Sequence, residues 1–387
     1  MKKIIYLDNA ATTPVKKEVL DEMLPFFTEN FGNASPIYQI AEENKKAIKI
    51  ARERVAKSIN AEVDEIYFTA GGSESDNWAL KGIAFANKEK GNHIITSKIE
   101  HDAILNSCKF LEKNGFEVTY LDVDDKGFVR EEDLKAAIKD QTILVSIMYA
   151  NNEIGTIQRI SSLAAIAKEK GIYFHTDAVQ AMGNVRIDVK KEDIDLLTMS
   201  AHKFNGPKGV GALYIKRGVK IESLIHGGGQ ERKKRAGTEN VPGIVGMGKA
   251  LELQYENFDE HQEKLTKMRD YLIDNILEKI PYSRLNGDRI NRLPGNVNIS
   301  FEFVEGESIL MLLDMEGIEA ASGSACNSAS LEPSHVLLAI GLPHEVAHGS
   351  VRLSLGYYNK EEDLPFVVDK LQEIIEKLRE MSPLYKK

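Results

Sequence analysis

The sequence predicts an α/β fold: a large domain on a mostly parallel central sheet covered by helices, followed by a smaller α+β C-terminal domain. Three observations carry this. Between about residues 65 and 175, apolar runs of strand length alternate with stretches of helical period, the rhythm of βαβ units with right-handed crossovers. Polar clusters follow the apolar runs, at Glu100-His101, Asn151-Asn152-Glu153, Asp177 to Gln180 and Ser200 to Lys203, where an open parallel sheet gathers its functional groups. Past about residue 250 that rhythm gives way to a long charged helix and an alternating strand, so a second domain is expected.

A chain of 387 residues, 42% hydrophobic and 28% charged, is long enough for two such domains with a sizeable core. We expect an N-terminal arm over 1–15 associated with the smaller domain, a large domain over 16–255, and a small domain over 256–387. The arm, with Tyr6 to Pro14, reads as an irregular polar lead-in and not as core. A helical period then begins at Ile37, with Ile48, Ala51, Val55 and Ile59 three or four apart, and ends near Asn60. A strand over 65–69 leads through Ala70-Gly71-Gly72-Ser73 into a helix containing Trp78, Leu80, Ile83 and Ala84. Strands are expected at 93–97, 118–123, 143–149 and 172–175, with helices at 103–113, 131–139 and 160–170 between them. The apolar runs 194–199 and 210–215 read as two further strands, and helices are expected at 251–280, 309–315 and 361–381 around a strand at 296–301. The small-residue tract from Ala321 to Ser330 has no period, and we expect a mobile loop carrying Cys326 over about 321–333.

Composition narrows the function. A net charge of −9, from 59 acidic and 50 basic residues spread along the chain, argues against direct nucleic-acid binding as a main function. No apolar run approaches the roughly 18 to 20 residues of a membrane span, and the start meets a charge too early for a signal peptide, so a cytoplasmic protein is expected. Cys108 and Cys326 form no CxxC pair, which argues against a disulfide framework or a structural metal site. Cys108 falls at helical spacing with Ile104 and Leu111 and reads as core. Cys326 lies among Ala, Ser, Gly and Asn, neighbours that favour an exposed, reactive thiol.

Lys203 follows a strand-like run, stands beside Ser200 and His202, and precedes backbone-permissive glycines. It reads either as a Schiff-base lysine with a phosphate nearby or as a surface lysine in a Gly-Pro turn. The Gly71-Gly72-Ser73 turn opens a helix after a strand, where free amides and a hydroxyl can hold a phosphate; an N-terminal cap with no ligand is the other reading. Asp177 follows a further strand. A lysine for an imine, a carboxylate for a pyridine nitrogen and a phosphate cradle on one sheet edge are together what pyridoxal 5'-phosphate requires. His101 and Gln180 are then candidates for the ring face and the phenolic oxygen.

Eight ordered segments resemble one family: Tyr6 to Thr13, Thr69 to Asn77, Glu100-His101, Asn151 to Gly155, His175 to Gln180, Ser200 to Lys203, Arg235 to Asn240, and Ser322 to Cys326. They are similar to the cysteine desulfurases, the NifS/IscS-like branch of the class V aminotransferase family within the fold-type I pyridoxal-phosphate enzymes. The likeness covers essentially the whole chain. It implies Lys203 as the cofactor lysine, Asp177 at the pyridine nitrogen, Gln180 at the phenolic oxygen and His101 stacked on the ring. It implies Gly72, Ser73, Ser200 and His202 at the phosphate, with Thr238 reaching the phosphate of a neighbouring subunit in a homodimer. Asn152, near the cofactor, and Arg352 would hold the substrate carboxylate, and Cys326 would be the sulfur-accepting nucleophile. The loop from Gly32 to Tyr38 departs from the family pattern.

The implied function is conversion of L-cysteine to L-alanine, with sulfur passing to a persulfide on Cys326 and then to an acceptor protein such as an iron–sulfur scaffold or a tRNA-thiolation protein. Selenocysteine lyase or cysteine β-lyase activity is the enzymatic alternative, and a silent partner-docking protein the non-enzymatic one.

Overall fold

The computed structural model describes residues 3–35, 37–322 and 333–385. Its centre is a seven-stranded sheet in the order Ile66–Thr69, Gly211–Ile215, Leu196–Ser200, Tyr173–Asp177, Thr142–Ser146, His93–Ser97, Glu117–Leu121. Gly211–Ile215 runs antiparallel to both neighbours, and all other pairings are parallel. The inner strands are continuous buried runs because helices cover both faces, whereas the edge strand Glu117–Leu121 begins exposed and carries the charge and hydroxyls an edge tolerates.

Sequence patterns place the covering helices well. Gln39–Ser58 buries Ile48, Ala51 and Val55 at the expected spacing, and Val241–Glu256 packs along it. Asn240 caps the latter by accepting the Gly243 amide at 3.2 Å.

Two expectations need correction. The helix expected over 251–280 is two, Val241–Glu256 and Phe258–Lys279. Asn257 leaves helical geometry (φ −124°, ψ 39°), and the turn brings Phe258 to stack on Tyr255 with ring centroids 5.2 Å apart. The N-terminal arm is not merely a lead-in. Ile5–Tyr6 pairs in parallel with Ile318–Glu319, and Ile5 and Leu7 are buried in a second core with Val297, Phe301, Leu272 and Val367. Helix Lys17–Met23, which the sequence reading missed, buries Val19 and Met23 against the large core.

That second core lies beneath a three-stranded antiparallel sheet, Ser350–Ser354, Asn296–Phe301, Ser283–Leu285, covered by helices Phe258–Lys279 and Leu364–Met381. Alternation in Asn296–Phe301 separates two buried faces, not a buried from a wet one. Val297, Ile299 and Phe301 enter the apolar core. On the other face Asn298 and Ser300 accept hydrogen bonds from Asn286 at 2.7 and 2.8 Å, and Asn296 donates to the Glu153 carbonyl at 3.0 Å, joining the two bodies. No helix among the described residues is long and apolar enough to cross a membrane.

Candidate active site

The carboxyl ends of the parallel strands open into a cavity of about 250 Å³. Its walls hold Gly72, Ser73, His101, Asn152, Asp177, Gln180, Ser200, His202, Lys203 and Arg352, every residue singled out from sequence except Thr238 and Cys326. Thr238 is exposed and lies outside the cavity lining. Cys326 lies outside the described residues.

One wall is a backbone cradle. After strand Ile66–Thr69, Gly71 adopts φ +150°, a conformation L side chains rarely take. Helix Gly72–Ala86 begins there without a side-chain cap, presenting its first amides and the positive end of its dipole. A Cβ on Gly72 would stand 2.9 Å from Val179 Cγ2, so only glycine lets the backbone come this close. Ser73, Ser200 and His202 add polar groups to the same pocket. Burial and the nearby Lys203 and Lys208 hold the His202 ring neutral, with its pKa pushed down to about 4.

Asp177 stands opposite, at the end of its strand, accepting the Val179 amide at 2.9 Å. Burial raises its carboxyl pKa, and His101 and Lys203 pull it back. Asp76 lines the cavity too, one helical turn past Gly72 and therefore on the same face. Its Oδ1 is buried without a hydrogen-bond partner among the described residues, 3.8 Å from His175 Nε2. Burial and the charge of Asp177 push the Asp76 carboxyl well up. Since only Asp177 has the Lys203 ammonium beside it, Asp76 holds the proton and Asp177 the charge.

His101 caps helix Asp102–Lys113, its Nδ1 accepting the Ala103 amide at 3.1 Å. That bond puts the proton of the neutral ring on Nε2. Arg352, 3% exposed, donates through Nη1 to the Asn152 carbonyl at 3.0 Å and through Nη2 to Asp8 Oδ1 at 2.8 Å.

The sequence reading gave the arm no part in the site, yet it crosses the cavity. Lys203 Nζ donates to the carbonyl oxygens of Ala10 and Ala11 at 2.6 and 2.8 Å, and Gln180 Nε2 donates to Ala10 at 2.9 Å. Thr13 donates to the His202 carbonyl through its amide and its hydroxyl. Asp76 could have been found from its spacing to Gly72; nothing local in the sequence marks Asp8.

Beneath the cavity lies a second layer of ionisable groups. Glu100 accepts from Ser97 Oγ at 2.6 Å and the Met148 amide at 2.9 Å, and burial pushes its pKa up to about 8. Burial also raises Glu153, to about 7, against the Ser334 hydroxyl that donates to it. His175, bonded to Ser146 and Thr198, is pushed down to about 3. Cys108 is core as expected, its thiol pushed up to about 12 by burial.

Comparison with known proteins gives the family. The chain matches the aminotransferase class-V family over residues 5–367. It is 65% identical over 387 residues to a cysteine desulfurase IscS of Clostridium botulinum, a match spanning 100% of this chain and 98% of that protein. Among solved structures it resembles a NifS-like protein with a TM-score of 0.91 at 39% identity, over 97% of this chain and 100% of that one. A structure of SspA in complex with cysteine matches with a TM-score of 0.82 at 41% identity, over 93% of this chain and 100% of that one. The chain belongs to the class-V aminotransferase family.

Proposed function

We propose that this protein is a pyridoxal-phosphate-dependent cysteine desulfurase, converting L-cysteine to L-alanine and passing the sulfur through a persulfide on Cys326. The observation that carries the reading is the meeting of Lys203, Asp177 and the Gly72-Ser73 cradle in one cavity.

The residues present fit the cofactor. The amides at the start of helix Gly72–Ala86 and the hydroxyls of Ser73 and Ser200 suit a phosphate, and a Cβ on Gly72 would close the approach. Buried Asp177, the charged member of its pair, suits a protonated ring nitrogen; His101 suits a ring face and Gln180 a phenolic oxygen. Lys203 Nζ is the primary amine that would hold the cofactor covalently. When bound, the cofactor supplies an electron sink that acidifies the substrate Cα–H and weakens the bond to its sulfur.

The chain's own residues do the rest. Arg352 and Asn152 hold the substrate carboxylate and fix which bond is presented. Lys203 Nζ is the base that would take the Cα proton of the bound substrate. The Cys326 thiolate attacks the substrate sulfur; the S–S bond forms, the C–S bond breaks, its electron pair stays with Cβ, which gains a proton, and Lys203 returns the proton to Cα so that alanine leaves. In this reading the His101 Nε2–H delivers the proton to Cβ. We further propose a homodimer in which Thr238 serves the cavity of a second copy, with an iron–sulfur scaffold or a tRNA-thiolation protein as acceptor. The 1–15, 16–255 and 256–387 division is the domain scheme proposed with it.

Mass spectrometry after addition of L-cysteine tests the mechanism: one extra sulfur is expected on the peptide carrying Cys326. Alanine formation by C326A at the native rate, with reductant present, would rule out the persulfide route.

A further inference from the structure

The mechanism needs Arg352 at one place and orientation, and the contacts around it show what provides both. Its backbone is fixed within strand Ser350–Ser354, where it exchanges two hydrogen bonds with Ala321 at 2.7 and 3.2 Å and pairs with Asn298 on the other side. Its side chain is buried at 3% exposure. A guanidinium has five N–H donors in a rigid plane. Nη1 is committed to the Asn152 carbonyl and Nη2 to Asp8. Nε is buried with no acceptor among the described residues, although Arg352 lines the cavity. A buried N–H that goes unpaired costs stability, so this donor marks where an acceptor arrives.

Asp8 is built into that position as firmly as Arg352. It bridges to Ser354 on the same strand, the Ser354 amide donates to the Leu7 carbonyl at 2.6 Å, and the Asn9 amide donates to the Ser354 carbonyl at 3.2 Å. On the other side the Tyr6 hydroxyl donates to the carbonyl oxygens of Asp8 and Thr12 at 3.0 and 2.9 Å, closing the arm into a turn. The Asp8 carboxylate therefore reaches Arg352 from a rigid backbone.

We propose that Asp8 is a positioning residue for recognition of the substrate carboxylate. By holding Nη2 from one edge, with Nε–H unpaired among the described residues, it orients the guanidinium so that the carboxylate of an α-amino acid completes the pairing. The proposal rests on the reading of Arg352 as the carboxylate anchor. It gives the N-terminal arm a task in specificity: selecting amino acids over simple amines.

The test compares two ligands that differ only in the carboxylate, L-alanine and ethylamine, titrated against the absorbance of the cofactor-loaded protein. D8A is expected to weaken L-alanine about tenfold and ethylamine less than twofold, and to raise KM for L-cysteine about tenfold with kcat within about threefold of native. Should D8A fail to fold, D8N keeps an acceptor in place and is expected to show the same selectivity with a loss of about threefold. Equal losses for both ligands, or none for either, overturn the proposal, since a merely structural role for Asp8 cannot tell a carboxylate from a hydrogen. R352A is the control: if it binds L-alanine as the native protein does, the carboxylate-anchor reading itself fails, an outcome distinct from failure of Asp8 alone.

Discussion

Two layers of ionisable groups lie one beneath the other at the carboxyl end of the central sheet, and they keep charge unequally. In the layer lining the cavity, Asp76 and His202 are held neutral, but Asp177 keeps its charge beside Lys203 and Arg352 pairs with Asp8. In the layer below, Glu100, Glu153 and His175 are buried among hydroxyls and amides, and desolvation pushes each toward its neutral form. Burial is not what distinguishes them, since Asp177 and Arg352 are also nearly inaccessible. The difference is how directly an opposite charge is met: Arg352 bonds Asp8 at 2.8 Å, whereas Glu153 feels Arg352 only through space and bonds a hydroxyl. Charge is kept at Asp177 and Arg352 and suppressed at Glu100, Glu153 and His175 below them.

The contrast is sharpest at Lys203. K203A is expected to lower alanine formation by about a thousandfold or more and to abolish the imine absorbance of the loaded protein, while far-ultraviolet circular dichroism stays native. D177N removes the charge but keeps the shape, and kcat should fall about a hundredfold with little change in melting temperature.

Glu100 should do the reverse, moving stability and its pH dependence. Its pKa is about 8 in the fold, against an ordinary glutamate value near 4.5, so the folded state binds the extra proton between those limits. Stability from this group is fully present below about pH 4.5 and is lost as pH rises through 8, by a few kcal/mol in all. E100Q cannot ionise and should melt with a flatter pH profile than the native protein between pH 6 and 9; parallel profiles would place the charge-suppressing layer elsewhere. The smallest effect belongs to Cys108. With its thiol pushed up to about 12 it should resist iodoacetamide at pH 8 in the native protein and react only on unfolding.

How much of this the sequence carried follows from the range of the interactions involved. The parallel strands and the polar residues at their ends were legible because burial on both faces makes strands apolar and their ends conspicuous, so Asp177, Lys203 and His101 were found as a set. The break at Asn257 was not, because charged residues continue on both sides of it and only the stacking of Phe258 on Tyr255 shows the turn. The arm was misread for a similar reason. Ile5 and Leu7 look like ordinary residues beside a polar stretch until Ile318–Glu319 and Ser350–Ser354 supply the partners that bury them. Asp8 and the carbonyl oxygens of Ala10 and Ala11 act through contacts with residues far along the chain, and side-chain periodicity says nothing about those.

The antiparallel strand Gly211–Ile215 has a kinetic consequence. Among the described residues it alone joins Ile66–Thr69 to the rest of the sheet, and a Cβ on Gly211 would stand 2.7 Å from Gly71 Cα, so the cradle and Ser200 meet only after this strand inserts between chain segments remote in sequence. Closing such long loops is the slow part of folding. The pocket for the phosphate is thus a late product of assembly, and a refolding chain should regain its helical signal before it can capture cofactor.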